Sequence, residues 1–589
     1  MHTSIATVCL SGGLTQKLHA CAAAGFDGVE IMDSDLTAAY ESPEEIRALC
    51  ARLGLRIEMF QPMRDVEGVD AETFADNLRR AEAKFEVMER LGAELLLLCS
   101  NVATATADDD ELVAAQLAEL ADRAAARGIR IAYEALAWGR FVRDYRHAWR
   151  IVQLADRPNL GLCLDSFHIL SLGLDPAPIE EIDGDRIFFL QLADAPEMEL
   201  DVLSWSRHHR LFPGEGSFEL PAFLGHVLRA GYRGPLSLEV FNDVFRQTDP
   251  VATARHAHRS LRWLADRAAV AGGWEQDRLE PLQPPRGVDF VEIAGEDLSD
   301  VDRLLQQLGF DFAGEHRSKR VRLWEAGEAR IVLNEQHRGS EARLAGIGLR
   351  VDDAAAAVRR AGAIGASEAF RWTLEGEQRL RGVEAPDGTQ FFWDDRAGRS
   401  WRDEFGGGER GAAGLRGWID HVNVGAGWEH FDEAVLFATS VLGLTAETSS
   451  ELPGPQGLVR SQVLRTPDGA VRLACNLAPP SAPEMPRHLA IRVEDAAATA
   501  RLARARGLEF LPIPSNYYDD LEARFALGPE RIGELRELGL LYDRDAHGSF
   551  VHFYTPTLGG VFLEIVERRG GYPGYGAANA PVRLAAQRG

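Results

Sequence analysis

The chain has 589 residues, 46% of them hydrophobic and 26% charged, enough for roughly four ordinary domains, or fewer if one is a large barrel. Its net charge of −26 repels phosphate backbones, which argues against nucleic acid as a partner and for a soluble protein. No apolar run approaches the ~20 residues needed to span a bilayer, and the start, "MHTSIATVCLSGG", lacks the pattern of a signal peptide, so no membrane partner and a cytoplasmic location are expected.

Residues 1–271 alternate short β-rich runs with helical stretches. Eight strands are predicted: "SIATVCL" (4–10), "GFDGVEIM" (25–32), "LRIEMFQP" (55–62), "AELLLLCS" (93–100), "IRIAYEAL" (129–136), "LGLCLDSF" (160–167), "RIFFLQLAD" (186–194) and "PLSLEVF" (235–241). Between them, helices such as "ADNLRRAEAKFEVMERLG" and "ELVAAQLAELADRAAARG" end in Gly just before the next strand. Near-continuous apolar strands fit a sheet covered on both faces. Eight such units in about 250 residues point to a (β/α)8 barrel, with a doubly wound sheet as the alternative. The six cysteines show no CxxC spacing and five fall in the first third, so reduced, buried thiols are expected.

Residues 272–286, rich in Gly, Pro and charge, read as a linker. Residues 287–395 then carry strands of an antiparallel sheet, "GVDFVEIAG", "ARIVLNE", "LAGIGLRV" and "GTQFFWDD", with helices between some of them. A second linker is read over 396–414. Over 415–570 a similar pattern returns, and 571–589 is left as a tail. "VDFVEIAG" parallels "IDHVNVGA", "LAGIGLRVDD" parallels "RHLAIRVEDA", and "PDGTQFFWDD" parallels "LGGVFLEIVE", an internal duplication of βαβββ type. The comparison sets Glu292, Gly346 and Trp393 of a degenerate first copy against His421, His488 and Glu564 of the second.

In a barrel the chemistry lies at the C-terminal strand ends. Glu134, Asp165, Gln191 and Glu239 end strands five to eight, each among apolar neighbours. Three carboxylates converging at one mouth repel unless a cation sits between them, and oxygen ligands suit a hard divalent ion. His168, three residues after Asp165, is placed to line the same pocket and to move a proton near pH 7. Arg210 and Arg64 are candidate anchors for an anionic group, with Arg207 and Ser206 behind them, and Glu30 could orient a polar group.

"YEAL", "LDSFH", "LQLAD", "SLEVF" and "RLFPGEGSFEL" together resemble the metal-bearing strand ends and loop of the xylose-isomerase-like barrels. With Gln191 and an appended domain, the whole chain is similar to the bacterial 3-dehydroshikimate dehydratases. The resemblance implies Glu134, Asp165, Gln191 and Glu239 as ligands of Mg2+, Mn2+ or Co2+. It implies His168, Glu134 and Glu239 as catalytic groups, 3-dehydroshikimate as the small-molecule substrate, and protocatechuate as the product of quinate and shikimate breakdown. A sugar isomerase or epimerase on the same barrel is the alternative.

In the second repeat, His421, His488 and Glu564 have the composition of a two-histidine, one-carboxylate Fe2+ site. "FLPIPSNYYDDL", "LLYDRDAHGSFVHFYT" and "VFLEIVER" resemble 4-hydroxyphenylpyruvate dioxygenase, a vicinal-oxygen-chelate enzyme, with Ser461 and Asn476 at pocket positions. Arg487 and His552 stand where that family has Gln, and its gating helix is replaced by "YGAANAPVRLAAQ" with Pro581 inside. Metal binding, to Fe2+ or another divalent ion, is therefore what this half implies, with a dioxygenase as the main activity a further alternative. The sequence leaves the oligomeric state open, a homo-oligomer included.

Overall fold

The computed structural model describes residues 2–397, 400–409, 414–447, 449–454, 457–478 and 485–587. The chain divides into two compact units, Met1–Leu279 and Glu280–Gly589.

The first unit is a closed parallel barrel of eight strands in sequential order. They are β1 (Thr3–Ala6), β2 (Gly28–Met32), β3 (Arg56–Met63), β4 (Leu95–Cys99), β5 (Arg130–Glu134), β6 (Leu160–Asp165), β7 (Ile187–Leu192) and β8 (Leu236–Leu238). The doubly wound alternative is excluded, because β1 pairs with β8. Helices cover the outside, so strands such as β4, "LLLLC", are buried on both faces. Local signals delimit the helices. Ala71–Leu91 starts at Asp70, whose carboxylate accepts from the backbone N–H of Glu72 and Thr73 at 3.0 Å each. It ends at Gly92, which takes the left-handed conformation at φ 76° that closes the last turn and feeds β4.

The second unit holds two nine-stranded sheets. The sheets are mixed rather than antiparallel. In the first, Gly287–Ala294 pairs antiparallel with Arg343–Arg350 and parallel with Ala329–Asn334. Two hairpin reversals after the helix Ser299–Leu308 return the fourth strand of the βαβββ unit parallel to the first. The region read as a second linker is partly structured. Trp401–Glu404 forms a short 3-10 turn, and Phe405–Glu409 pairs with Asp311–His316 at the sheet edge. Residues 398, 399 and 410–413 of that span lie outside the described residues.

The strand registers correct the matching of the two copies. In the second sheet, Ala490 lies opposite both His421 and Glu564. In the first, Gly348 lies opposite both Phe290 and Phe392. The first-copy counterparts of His421, His488 and Glu564 are therefore Phe290, Gly346 and Phe392, not Glu292, Gly346 and Trp393. Trp393 is one residue from Phe392 and faces the other side of the sheet, whereas Glu292 is two from Phe290 and shares its face; the register shifts at the same place in each copy, at Gly348/Leu349 and at Ile419/His421.

The six cysteines are free and buried. Among the described residues no helix is long and apolar enough to cross a membrane.

Candidate functional site

The barrel mouth gathers the strand ends. Glu134 ends β5, Asp165 ends β6, Gln191 on β7 lies directly opposite Asp165, and Glu239 follows β8. All four are buried. Asp165 also starts the short helix Ser166–Leu170, accepting from the N–H of Phe167 at 2.6 Å. Three residues on, that helix turns His168 back over the same carboxylate. His168 Nε2 lies 3.6 Å from Asp165 Oδ2 and 3.7 Å from Glu134 Oε1, and the N–H of Ala137 donates to its Nδ1 at 3.3 Å. Donor atoms of Glu134, Asp165 and His168 all fall within 4.8 Å of one another.

This cluster has the electrostatics of a cation site. Burial pushes the Glu134 carboxyl well above its usual range, and the neighbouring Glu239 and Asp165 push it further. Its Oε1 is buried without a hydrogen-bond partner, while Oε2 accepts only a thiol bond from Cys99 at 3.3 Å. Burial raises Glu239 to about 7. It lowers His168 to about 3, so the ring is neutral at physiological pH. Buried carboxylates with an open oxygen beside a neutral imidazole are a fitting donor set for a divalent ion.

Arg210 supplies the positive charge inside the protein. It is 1% exposed and donates to Asp165 Oδ2 at 2.7 Å, to Glu239 Oε2 at 3.3 Å and to the Glu239 carbonyl at 2.9 Å. Its other nitrogens reach Ser206 Oγ at 2.9 and 3.2 Å and His168 Nε2 at 3.4 Å. Arg210 is thus consumed by the carboxylates, and Ser206 by Arg210, so neither is an open anchor for an anion. Arg64 and Arg207 are placed differently. They line a cavity of about 790 Å3 at the strand ends, whose rim also carries Arg79, Arg80, Arg246 and Lys84 against the single acid Asp33.

Gln191 is tied to Glu30 on β2. Its Nε2 donates to Glu30 Oε2 at 2.6 Å, as does Gln61 Nε2 at 2.8 Å, and the Ser237 hydroxyl donates to the other oxygen. The Gln191 carbonyl oxygen meets only the Cys163 thiol, at 3.4 Å. Glu30 is therefore the hub that turns the Gln191 amide. The signal was available: Glu30 and Gln61 are polar residues inside apolar strands, like the four strand-end groups.

The second repeat brings its triad together as expected. His421 Nε2 and His488 Nε2 lie 3.2 and 3.3 Å from Glu564 Oε2 and 3.3 Å from each other. All three are buried, and the second oxygen of Glu564 is bonded to His552 Nδ1 at 2.6 Å. Burial pushes Glu564 up, but the bonds from three histidines overcome it and hold its carboxyl well below the usual range. Asp420 accepts from His421 Nδ1 at 2.9 Å and is clamped by Arg568 through two bonds of 2.7 Å. This fixes the ring so that Nε2 faces the triad, an arrangement typical of metal-ligating histidines. The bulge beside Asp420 lets it reach the ring of the next residue, a contact that strand alternation does not predict. Asn476 Oδ1, on the strand paired with Ser461, is buried without a partner. Arg487 turns away to Thr389 and Asp387, at 2.6 and 3.0 Å.

The tail also differs from expectation. Pro581 sits in the first turn of a helix, Ala580–Ala586, where its missing N–H costs no bond. Tyr575 packs edge-on to His421 at 5.2 Å, and Asn579 reaches His552 at 2.9 Å. Residues 571–587 therefore form part of the wall around the triad.

Three family profiles match in succession: xylose isomerase-like TIM barrel over residues 18–267, the N-terminal part of hydroxyphenylpyruvate dioxygenase over 281–399, and the glyoxalase/bleomycin resistance protein/dioxygenase superfamily over 418–533. A 3-dehydroshikimate dehydratase of Pseudomonas aeruginosa is 44% identical, over 100% of this chain and 98% of its own length. One of Pseudomonas putida is 42% identical over the same shares. A solved xylose isomerase-like TIM barrel/4-hydroxyphenylpyruvate dioxygenase fusion protein superposes with a TM-score of 0.89 at 40% identity, over 100% of this chain and 99% of its own. A closed barrel with acids gathered at its mouth, followed by two βαβββ repeats of which the second holds a histidine–carboxylate triad, places this chain in the family of two-part 3-dehydroshikimate dehydratases.

Proposed function

We propose that the chain is a metal-dependent 3-dehydroshikimate dehydratase whose chemistry takes place at the barrel mouth, yielding protocatechuate in quinate and shikimate catabolism. The observation that carries this is the full-length likeness to two curated dehydratases. The reaction removes the proton at C4, beside the C3 ketone, and expels the C5 hydroxyl; together these leave as water, and loss of a C6 proton to the ketone oxygen completes the aromatic ring. Each demand has a candidate at the mouth. His168, neutral and facing the carboxylates, is assigned the proton transfers. Glu134 and Glu239 are assigned a share in those transfers, since burial raises both carboxyls, Glu239 to about 7. Glu134, Asp165, Glu239 and the carbonyl oxygen of Gln191 would hold Mg2+, Mn2+ or Co2+. That cation would stabilise negative charge developing on the C3 and C4 oxygens.

The substrate is a carboxylate, and Arg64 and Arg207 are its anchors. Ser206 positions Arg210, and Arg210 holds Asp165 and Glu239 in place. The triad His421, His488 and Glu564 is read as a second site, for Fe2+ or another divalent ion. Full-length protein supplied with Mn2+ and 3-dehydroshikimate should generate the absorbance of protocatechuate. Its absence with fresh metal, or turnover of a ketose instead, would replace this reading with the isomerase one.

A further inference from the structure

The concave face of the first repeat encloses a cavity of about 290 Å3 that the barrel chemistry does not use. It lies on the sheet face that carries the triad in the second repeat, where Phe290, Gly346 and Phe392 hold the three ligand positions, and Phe290 lines the cavity itself. Aromatic surface has replaced the donors. Trp401 stands over Phe290 with ring centroids 4.9 Å apart, and its indole N–H bonds Asp289 at 2.8 Å, so that wall is fixed. Polar groups line the margin. The buried Glu292 carboxylate accepts from Asn334 Nδ2 at 2.8 Å and pairs with Arg371 at 2.9 Å. The Arg371 guanidinium lies 4.9 Å above the Phe392 ring. Gln378 Oε1 is buried without a hydrogen-bond partner.

A second donor set borders this cavity: His316, Glu377 and Glu404. It does not have the character of a metal site. The N–H of Ser318 donates to His316 Nδ1 at 3.2 Å, so the ring carries its proton on Nε2 and donates it to Glu404 at 3.0 Å. Lys319 Nζ, 2.6 Å from Glu377, already supplies the cation. The trio is a closed network that holds the 370–378 strap through the Lys319 bond to the Trp372 carbonyl at 2.7 Å.

We propose that this cavity binds, without a metal, a small ring-bearing hydroxycarboxylate. The ring would lie on Phe290 and Trp401, its hydroxyls would donate to Glu292 and Gln378 Oε1, and its carboxylate would draw on Arg371. The class follows from the cavity's own walls; only the choice of probe rests on the dehydratase reading.

The test is calorimetric titration of the EDTA-treated full-length protein with 3,4-dihydroxybenzoate, comparing wild type with Arg371→Gln and Glu292→Gln. Arg371 is partly exposed, so its replacement is compatible with folding. Both variants should lose one binding equivalent or weaken it at least tenfold, with dehydratase kcat and KM unchanged. Superimposable isotherms, flat ones included, overturn the proposal. A lost equivalent in a protein that makes no protocatechuate overturns only the barrel reading.

Discussion

Replacing Glu134 by Gln separates the stability of the barrel from its chemistry. Glu134 is 2% exposed, with one oxygen unpartnered and the other accepting a single thiol bond. A buried polar group left unsatisfied costs about 1–3 kcal/mol, and more when charged. The metal-free wild type carries that cost, either as a charge held against Glu239 and Asp165 or as the proton taken up in its place, and Gln keeps the shape while needing neither. The metal-free variant should therefore be more stable, by about 1–3 kcal/mol, which for a barrel of this size is a rise of roughly 2–12 °C in Tm. Metal acts in the opposite sense. A divalent ion at a hundred times its Kd stabilises the wild type by about 2.7 kcal/mol, and the variant should lose most of that rise. Dehydration should fall by a factor of about 10²–10³ or more, because a charge aimed at the site is gone. The assay is a pair of thermal melts, in EDTA and in Mn2+, beside initial rates of protocatechuate formation. A variant that keeps its Mn2+-dependent rise in Tm and turns over within about tenfold of wild type would refute the assignment. So would a metal-free variant destabilised by several kcal/mol, since Glu134 would then be a satisfied structural group.

Asp420→Asn should weaken Fe2+ binding at the second repeat by about 10–100-fold, because the ring of His421 loses its orienting acceptor, while dehydratase activity holds; iron content after dialysis reads this. Neutralising the outer cations of the barrel mouth together, as Arg79→Gln, Arg80→Gln and Arg246→Gln, should lower kcat/KM for the anionic substrate and flatten its dependence on ionic strength, with kcat little changed. His258, edge-packed on Phe26 at 5.1 Å, is lowered to about 4 by burial, with Arg262 adding to the effect. A histidine whose pKa falls on folding contributes stability that is complete above about 6.5 and lost as pH drops towards 4. The shift corresponds to at most about 3 kcal/mol, and partial solvent access lowers that to about 1–2 kcal/mol. His258→Phe should flatten the loss of stability between pH 6.5 and 4 in urea melts, and an unchanged slope would show that other groups carry it.

The sequence by itself determined the barrel, its eight strands and the mouth residues. Parallel strands covered on both faces are written as unbroken apolar runs, so a charged residue such as Glu134 or Asp165 stands out at a strand end. The triad of the second repeat was legible for the same reason, as were the helix stops at glycine. What only the tertiary structure decided is where each polar group spends its bonds. Arg210 reads as an anion anchor until its guanidinium is seen shared among Asp165, Glu239, Ser206 and His168. Glu30 reads only as a group that could orient a polar neighbour until Gln61, Gln191 and Ser237, far away in the chain, are seen to converge on it. Cross-strand pairing decided the matching of the two repeats. Phe290, not Glu292 two residues further along the same face, stands where the second copy has His421, and Phe392, not Trp393 on the opposite face, stands where it has Glu564. Strand periodicity is local and survives in the sequence; hydrogen-bond partners and register are set by segments that meet only once the sheet has closed.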